Sequence, residues 1–234
     1  NALYQKSLMD NEMETNEVVS RNLYPPRVSE MNGEIKLLHH YAWEESGFPQ
    51  HWVKEFNNHL SGMTCLSEHV RKIMIDNGVN LPMITSGCGT DHWLRVQPDQ
   101  DYSVEGKAFR FLHVSSCFPR KGVNILLDAF GKAFTKEDDV SLVIKTFENP
   151  HNTLIQDLEQ RRKDNPRFPD VVVIFDDITE AQLKAVYESC DILVAPSLAE
   201  GFGLPMAEAI YSGLGVVTNS WGGQLDFCNS ETAW

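Results

Sequence analysis

The sequence lacks the features that mark several large classes of protein. No apolar run approaches the roughly 18 residues that a membrane-spanning helix needs. Basic residues are scarce, because 20 Lys and Arg stand against 33 Asp and Glu, for a net charge of −13. This charge argues against a nucleic-acid partner and against broad adhesion to an anionic membrane, although a local patch for peripheral contact stays open. The GxxxxGK[ST] phosphate loop of ATPases is also absent.

Cysteine is sparse and irregularly placed. The five cysteines are odd in number and contain no CxxC pair. This usage indicates small buried side chains or free thiols in a reducing compartment, with neither a zinc site nor a disulfide framework. We therefore expect a cytoplasmic protein, and a peripheral location at the inner face of the membrane is compatible with that expectation.

From residue 108 onward, apolar runs alternate with amphipathic helices. The β-rich runs are FRFLHVSS, VSLVIKTF, VVVIF, DILVAP and GVVTN. The third of the intervening helices opens with a capping box formed by Thr179 and Gln182. Strict alternation with fully apolar strands predicts an α/β domain with a parallel, doubly wound sheet.

The chain before residue 108 has a less regular pattern. Short apolar runs predict strands over residues 35–39, 63–66 and 81–85, and the first ~30 residues show no clear period. Helices are predicted over residues 52–60 and after a Ser67 cap. Residues 92–107 are polar without a period, which predicts a linker. The expected domains are therefore residues 1–91 and 108–234, joined by residues 92–107.

The segment EGFGLPMAE, residues 200–208, directly follows the apolar run DILVAPS. Two glycines open a turn there, Pro205 lies in the first turn of a helix, and Gly213 ends that helix. The N–H groups of a first helical turn attract a phosphate. The carboxylates of Glu200 and Glu208 instead suit hydroxyl groups, because they accept hydrogen bonds and repel anions. Phosphate held by amides and a polyol held by acids predict a nucleotide sugar, while two solvated surface glutamates are the alternative.

A second cluster of candidate residues is Pro119-Arg120-Lys121-Gly122, which opens the first helix after residue 108. Its two cations can neutralise a diphosphate, although a solvated basic turn has the same composition. His39 and His40 end a strand in the first region. Either one can be a general base or a polar contact to sugar hydroxyls, and a purely structural histidine is the alternative.

These residues carry a family resemblance. The segments HVSSCFPRKGVNILLDAF, ITEAQLKAVYESCDILVAPS, EGFGLPMAE and VVTNSWGGQLDF resemble, in the same order, the retaining GT-B-fold glycosyltransferases of family 4, the group 1 transferases. They cover residues 109–228. The segments YPPRV, HHYAWEESGFP, FNNHLSGMTCLSEHV and GCGTD resemble the latter part of the family's acceptor-side, Rossmann-like N-terminal domain. The resemblance therefore implies a GT-B fold, with residues 108–234 as the donor-binding domain. The last part of that domain can extend beyond residue 234.

The resemblance also implies a chemistry. Family members most similar to this sequence make bacterial surface polysaccharides, often with mannose, which implies a nucleotide-sugar donor such as GDP-mannose or a UDP-sugar. The acceptor is a glycan or a lipid-linked saccharide, and neither a metal nor another cofactor is implied. The start at Asn1 without methionine and the end at Trp234 indicate a piece of a longer protein. We expect that piece to be inactive alone, because half of the acceptor-side domain is missing.

Roles for individual residues follow from the same resemblance. Lys121 would contact the donor diphosphate, Glu200 would face the transferred hexose, and both would be catalytic. Glu208 would bind the ribose diol. Backbone amides for the donor would come from Gly201, Phe202, Gly203 and Leu204. The family often has a second cation where this sequence has Ser116, so either Arg120 replaces that cation or the site is weaker. His39 and His40 are the acceptor-side candidates.

The prediction is thus a retaining hexosyltransferase, with two alternatives. One is a catalytically silent GT-B module that binds a nucleotide sugar or glycan. The other is a glycoside hydrolase with two carboxylates flanking the scissile bond. Because a hydrolase has no need of cations for a diphosphate, Lys121 argues against it, and the presence of both glutamates and the lysine favours an active transferase.

Overall fold

The computed structural model of the protein describes residues 17–234. It divides into two units, Asn1–Cys88 and Gly89–Trp234, and each has its own parallel sheet and its own core. In the part of the chain described, no helix combines the length and apolar character needed to cross a membrane.

The first unit is built on a four-stranded parallel sheet in the order β1-β2-β3-β4. Its strands are β1 (Val18–Arg21), β2 (Ile35–Tyr41), β3 (Gly62–Cys65) and β4 (Met83–Thr85), and its helices are α1 (Gln50–His59) and α2 (Glu68–Asp76). The predicted cap of α2 is confirmed, because the Ser67 side chain accepts a hydrogen bond from the Val70 N–H. The sequence pattern missed β1, a four-residue strand whose side chains alternate between exposed and half-exposed. Such a short edge strand has too few buried positions to show a period.

Tyr41 at the end of β2 has a buried hydroxyl without a partner among residues 17–234. Its ring packs edge-on against Phe48 and Phe56, and burial raises the pKa of the phenol. We expect Tyr41→Phe to raise the free energy of unfolding by about 1 kcal/mol, because the variant removes a desolvated group that gains no hydrogen bond. Urea unfolding measures this change, with Tyr24→Phe, whose residue is 73% exposed, as a control without effect. A less stable Tyr41→Phe protein would show that the hydroxyl is bonded in solution.

The second unit confirms the predicted doubly wound sheet. Its five parallel strands lie in the order β7-β6-β5-β8-β9. The strands are β5 (Phe109–Val114), β6 (Val140–Lys145), β7 (Asp170–Ile174), β8 (Ile192–Ala195) and β9 (Gly215–Thr218). The helices are α3 (Val123–Ala133), α4 (Leu154–Asp164), α5 (Glu180–Glu188) and α6 (Leu204–Tyr211), and α5 begins with the predicted capping box.

Helices cover both faces of this sheet. Apolar side chains of α3 and α4 form one core cluster, and those of α5 and α6 form another. The chain runs outward from β5 to β7 and then returns to β8 on the other side of β5. The carboxyl ends of β5 and β8 therefore flank the point where the strand order reverses, which is where open α/β sheets bind ligands.

Residues 92–107, which the sequence pattern predicts to be a linker, lie within the second unit. Trp93 and Val104 are 1% and 8% exposed and belong to the same core as α5 and α6. The buried Lys184 ammonium of α5 donates to the carbonyl oxygens of Trp93 and Val96 at 2.8 and 2.9 Å. These widely spaced anchors follow neither a helical nor a strand period, so the sequence pattern gave no sign of their burial.

Candidate functional site

Two loops meet at the point where the strand order of the second sheet reverses. One follows β5 and ends in a 3-10 turn, Pro119–Lys121, and the other follows β8 and leads to α6. The Leu198 N–H donates to the Arg120 carbonyl at 2.7 Å. Gly122 has a φ of 70°, and a Cβ atom there would collide with the carbonyl oxygen of Pro196. The backbones of the two loops are therefore in direct contact and form one rim.

The structure brings Lys121 and Glu200 together on this rim. The Lys121 ammonium donates to Glu200 Oε1 at 2.6 Å, and the Glu200 residue is only 7% exposed. Arg120 Nη1 lies 3.9 Å from Glu200 Oε2 and donates to the Ala199 carbonyl at 2.9 Å. The nearly buried Glu200 carboxylate thus lies beside two cations, the largely buried Lys121 ammonium and the Arg120 guanidinium, whose side chain is 35% exposed.

The start of α6 adjoins this cluster along the chain. Gly203 caps the helix with a φ of 93°, Leu204 and Pro205 form its first turn, and the glycine carbonyl accepts from Met206 N–H at 3.0 Å. Because the first N–H groups of a helix have no acceptor within it, this end carries partial positive charge. The Phe202 ring packs against Phe227 with centroids 5.0 Å apart, which anchors the loop to the segment after β9.

Glu208, the fifth residue of α6, lies in a different environment from Glu200. It is 7% exposed, and its Oε2 accepts a hydrogen bond from the Tyr187 hydroxyl of α5 at 2.9 Å. Burial raises the pKa of the Glu208 carboxyl, and the hydrogen bond from Tyr187 lowers it in part. One glutamate of the EGFGLPMAE segment is therefore paired with cations and the other with a phenol.

Glu208→Gln is expected to stabilise the fold at neutral pH by on the order of 1 kcal/mol, because a neutral amide is cheaper to bury than a carboxylate. The raised pKa in the folded state means that stability falls as pH rises from the ordinary glutamate pKa, about 4.3, through the folded value. The gain should therefore be present at pH 7 and vanish near pH 4. Thermal unfolding at both values checks this, with the exposed Glu159→Gln as a control. An equal gain at both pH values would contradict a charge-based cause.

Ser116, where the family often has a cation, lies on the loop after β5. Its carbonyl oxygen accepts from the Asn149 side chain at 2.8 Å, which ties this loop to the one after β6. Arg120, the candidate to replace the cation that the family often has at this position, contacts the loop that contains Ala199 and Glu200.

Sequence reasoning missed His113, a buried polar residue of β5 that is 1% exposed. Its Nδ1 lies 2.8 Å from the Val194 carbonyl, which can only accept, so Nδ1 carries the proton. Its Nε2 therefore accepts a hydrogen bond from the Ser115 hydroxyl at 2.8 Å, and Ser115 Oγ in turn accepts from the Cys117 N–H at 3.0 Å. Burial lowers the pKa of His113, so the neutral ring links β5, β8 and the first loop of the rim. The sign of this role in the sequence was a histidine directly after the apolar residues Phe111 and Leu112 of a predicted strand.

His39 and His40 belong to the first unit, at a register shift in β2 between Leu38 and Tyr41. His39 Nδ1 lies 2.6 Å from Ser20 Oγ, and His40 Nδ1 lies 3.0 Å from Ser86 Oγ. His40 adopts a φ of 48°, which is uncommon for a residue other than glycine. A bulge near a strand end re-aims side chains, so this geometry suits either a structural or a binding histidine. Within residues 17–234, no three His, Cys, Asp or Glu side chains cluster in a way that could hold a metal ion.

Comparison with known proteins gives a family match over the second unit. The profile described as "Glycosyl transferases group 1" matches residues 108–233, more than half of the chain. An MMP alpha-(1->4)-mannosyltransferase of Mycolicibacterium hassiacum is 33% identical over 110 residues, 46% of this chain and 25% of that protein. A D-inositol 3-phosphate glycosyltransferase of Pseudarthrobacter chlorophenolicus is 26% identical over 136 residues, 55% of this chain and 30% of that protein. The chain thus spans a third or less of the length of these two relatives.

A solved structure supports the same fold. Alr3699/HepE of Anabaena, in complex with UDP and glucose, superposes with a TM-score of 0.66 at 20% identity. The match covers 83% of this chain and 55% of that one. The predicted α/β fold of the GT-B type is confirmed.

Proposed function

Because the chain belongs to the group 1 glycosyl transferases, we propose that it moves a hexose from a nucleotide sugar to an acceptor hydroxyl, with retention of configuration. The observation that carries this proposal is the Lys121–Glu200 pair, 2.6 Å apart where the strand order reverses. It combines a cation for the leaving diphosphate with a carboxylate for the hydroxyls of the hexose.

The cations act on the leaving group. As the bond from C1 of the hexose to the diphosphate breaks, negative charge builds on the phosphate oxygens. Lys121 and Arg120 stabilise that charge, together with the backbone amides of residues 201–204 at the start of α6. Since these groups are already positioned on tied loops, little reorganisation is needed during the reaction.

Glu200 orients the sugar and is not a nucleophile in this proposal. Before the donor binds, its carboxylate is occupied by Lys121. When the donor binds, its diphosphate competes for the Lys121 ammonium, and the hexose hydroxyls donate to the Glu200 carboxylate. The contact between Lys121 and Glu200 is thus replaced by contacts of each side chain with the donor. The acceptor hydroxyl attacks the face of C1 from which the diphosphate leaves, which retains the configuration. Glu208 accepts hydrogen bonds from the ribose diol.

The donor in this proposal is GDP-mannose or a UDP-hexose. The mannosyltransferase of M. hassiacum supports mannose, and the UDP and glucose in the Anabaena structure support a uridine nucleotide. The acceptor is a glycan or lipid-linked saccharide of a surface polysaccharide. The first unit contributes the acceptor side, with His39 and His40 as the candidate contacts, and residues 108–234 contribute the donor side.

The first test of the proposal measures the melting temperature of the full-length protein with each of a panel of nucleotide sugars. A ligand present at about 100 times its Kd adds about 2.7 kcal/mol of stability, which a melting curve resolves. A turnover assay with the binding donor then follows transfer to a glycan. Binding without transfer would instead indicate a silent module, and release of sugar from a glycan without nucleotide would indicate a hydrolase. A panel in which no nucleotide sugar shifts the melting temperature would refute the proposed function.

A further inference from the structure

The contact between α5 and α6 contains a polar pair that the proposed mechanism leaves unexplained. Tyr187 of α5 is fully buried, and its hydroxyl donates to Glu208 Oε2 of α6 at 2.9 Å. We propose that Tyr187 is a positioning residue, whose hydroxyl fixes the Glu208 carboxylate for the ribose of the donor. This inference rests on the proposed function, because it takes Glu208 as the ribose ligand.

The geometry accounts for the choice of a tyrosine. A glutamate side chain has three rotatable bonds, so an untethered carboxylate samples several rotamers and loses entropy when a ligand orders it. The phenol occupies one site on Oε2, which leaves Oε1 and the second lone pair of Oε2 as acceptors for two ribose hydroxyls. The carboxylate is therefore ordered before the donor arrives.

Trp93 packs against Tyr187 and is hydrogen-bonded to the residue that follows α6. Its ring meets the Tyr187 ring edge-on, with centroids 5.3 Å apart, and is 1% exposed. Its Nε1 donates to Ser212 Oγ, just after α6, at 2.8 Å. One buried indole thus contacts both helices that supply the pair. Because water is excluded there, the bond between phenol and carboxylate is stronger than it would be at the surface.

The charges around Glu208 give the proposal a measurable signature. Burial raises the pKa of Glu208, the Tyr187 bond lowers it, His92 lowers it through its charge, and Glu180 raises it. Burial and the neighbouring Glu208 hold the pKa of Tyr187 well above its usual value, so the phenol remains a donor at any working pH. Removing the hydroxyl should therefore raise the pKa of the Glu208 carboxyl. The pH below which protonation of Glu208 weakens donor affinity, the acid limb of the pH profile, should then move to a higher value.

The experiment compares wild type, Tyr187→Phe, Glu208→Gln and the double variant in the full-length protein. UDP and GDP are titrated by calorimetry from pH 5 to pH 8.5. We expect Tyr187→Phe to weaken binding of the preferred nucleotide about tenfold at pH 7.5, the scale of a lost hydrogen bond to a charged group. Its acid limb should move to higher pH. In the Glu208→Gln background, the same tyrosine change should have little further effect, because the carboxylate is already gone.

The outcomes separate the two proposals. If wild type binds UDP or GDP while Tyr187→Phe binds with the same affinity and pH profile, the positioning role is overturned and the proposed function stands. Additive losses in the double variant would likewise overturn it, because they would show that Tyr187 acts independently of Glu208. If wild type binds neither nucleotide, the proposed function itself fails, and this inference fails with it. Tyr211→Phe, on α6 with a residue 47% exposed, is the matched control and should bind as wild type does.

Discussion

Lys121→Ala in the full-length protein is expected to lower kcat/KM for the donor by about 30- to 1,000-fold, which corresponds to about 2–4 kcal/mol of lost transition-state stabilisation. The Lys121 ammonium lies closer to Glu200 than the Arg120 guanidinium does. It is the group proposed to stabilise the negative charge that develops on the leaving diphosphate. Steady-state kinetics with the preferred nucleotide sugar measures the change. Because charge on the phosphate oxygens grows toward the transition state, kcat should fall more than KM rises.

The same change affects folding, and its controls separate the two effects. Without Lys121, the one counter-ion left to the nearly buried Glu200 carboxylate among residues 17–234 is Arg120, at 3.9 Å, so the melting temperature should fall. Lys121→Met combined with Glu200→Gln removes the uncompensated charge, so it should recover stability but not transfer. Lys132→Ala, an exposed lysine in the last turn of α3, should match wild type in both measurements. Near-normal turnover in folded Lys121→Ala would remove the lysine from the mechanism.

Gly122→Ala is the second change with a large expected effect, and it acts on the backbone. The residue has a φ of 70°, and its Cβ would collide with the Pro196 carbonyl oxygen, a backbone atom that cannot rotate away. We expect a loss of about 3 kcal/mol in the free energy of unfolding, since a left-handed alanine alone costs about 1 kcal/mol and the collision forces the two loops apart. Donor binding should weaken as well, because Lys121 and Glu200 lie on those loops.

Gly213→Ala provides the matched control for this backbone effect. Gly213 has a φ of 83°, and a Cβ there would meet no atom within 4 Å. The control should therefore lose only about 1 kcal/mol, the cost of the left-handed conformation, and keep donor affinity. Chemical unfolding of both variants gives the comparison. Equal losses at Gly122 and Gly213 would show that the contact with Pro196 relaxes and does not hold the loops together.

Local features of the sequence were sufficient for the second sheet and for both loops of the site. The alternation of apolar runs with amphipathic helices predicted all of the strands β5 to β9, and the Thr179 capping box marked the start of α5 correctly. The glycines and Pro205 of EGFGLPMAE predicted a turn followed by a helix, which is what residues 200–211 form. Each of these features depends on neighbouring residues, whose spacing and backbone preferences can be read without knowledge of the fold.

Contacts between distant segments could be seen only after the chain had folded. Lys121 and Glu200 are 79 positions apart, and their pairing depends on the crossover that places β8 beside β5. Burial of Trp93 and the bond from Tyr187 to Glu208 depend likewise on how α5 and α6 pack against the sheet. Periodicity marks which residues are apolar and how often they recur, so a lone tryptophan in a polar segment or a tyrosine on an apolar helix face carries no sign of its partner. The amino-acid order therefore accounts for the elements and the candidate charges, whereas long-range packing selects which of those charges meet.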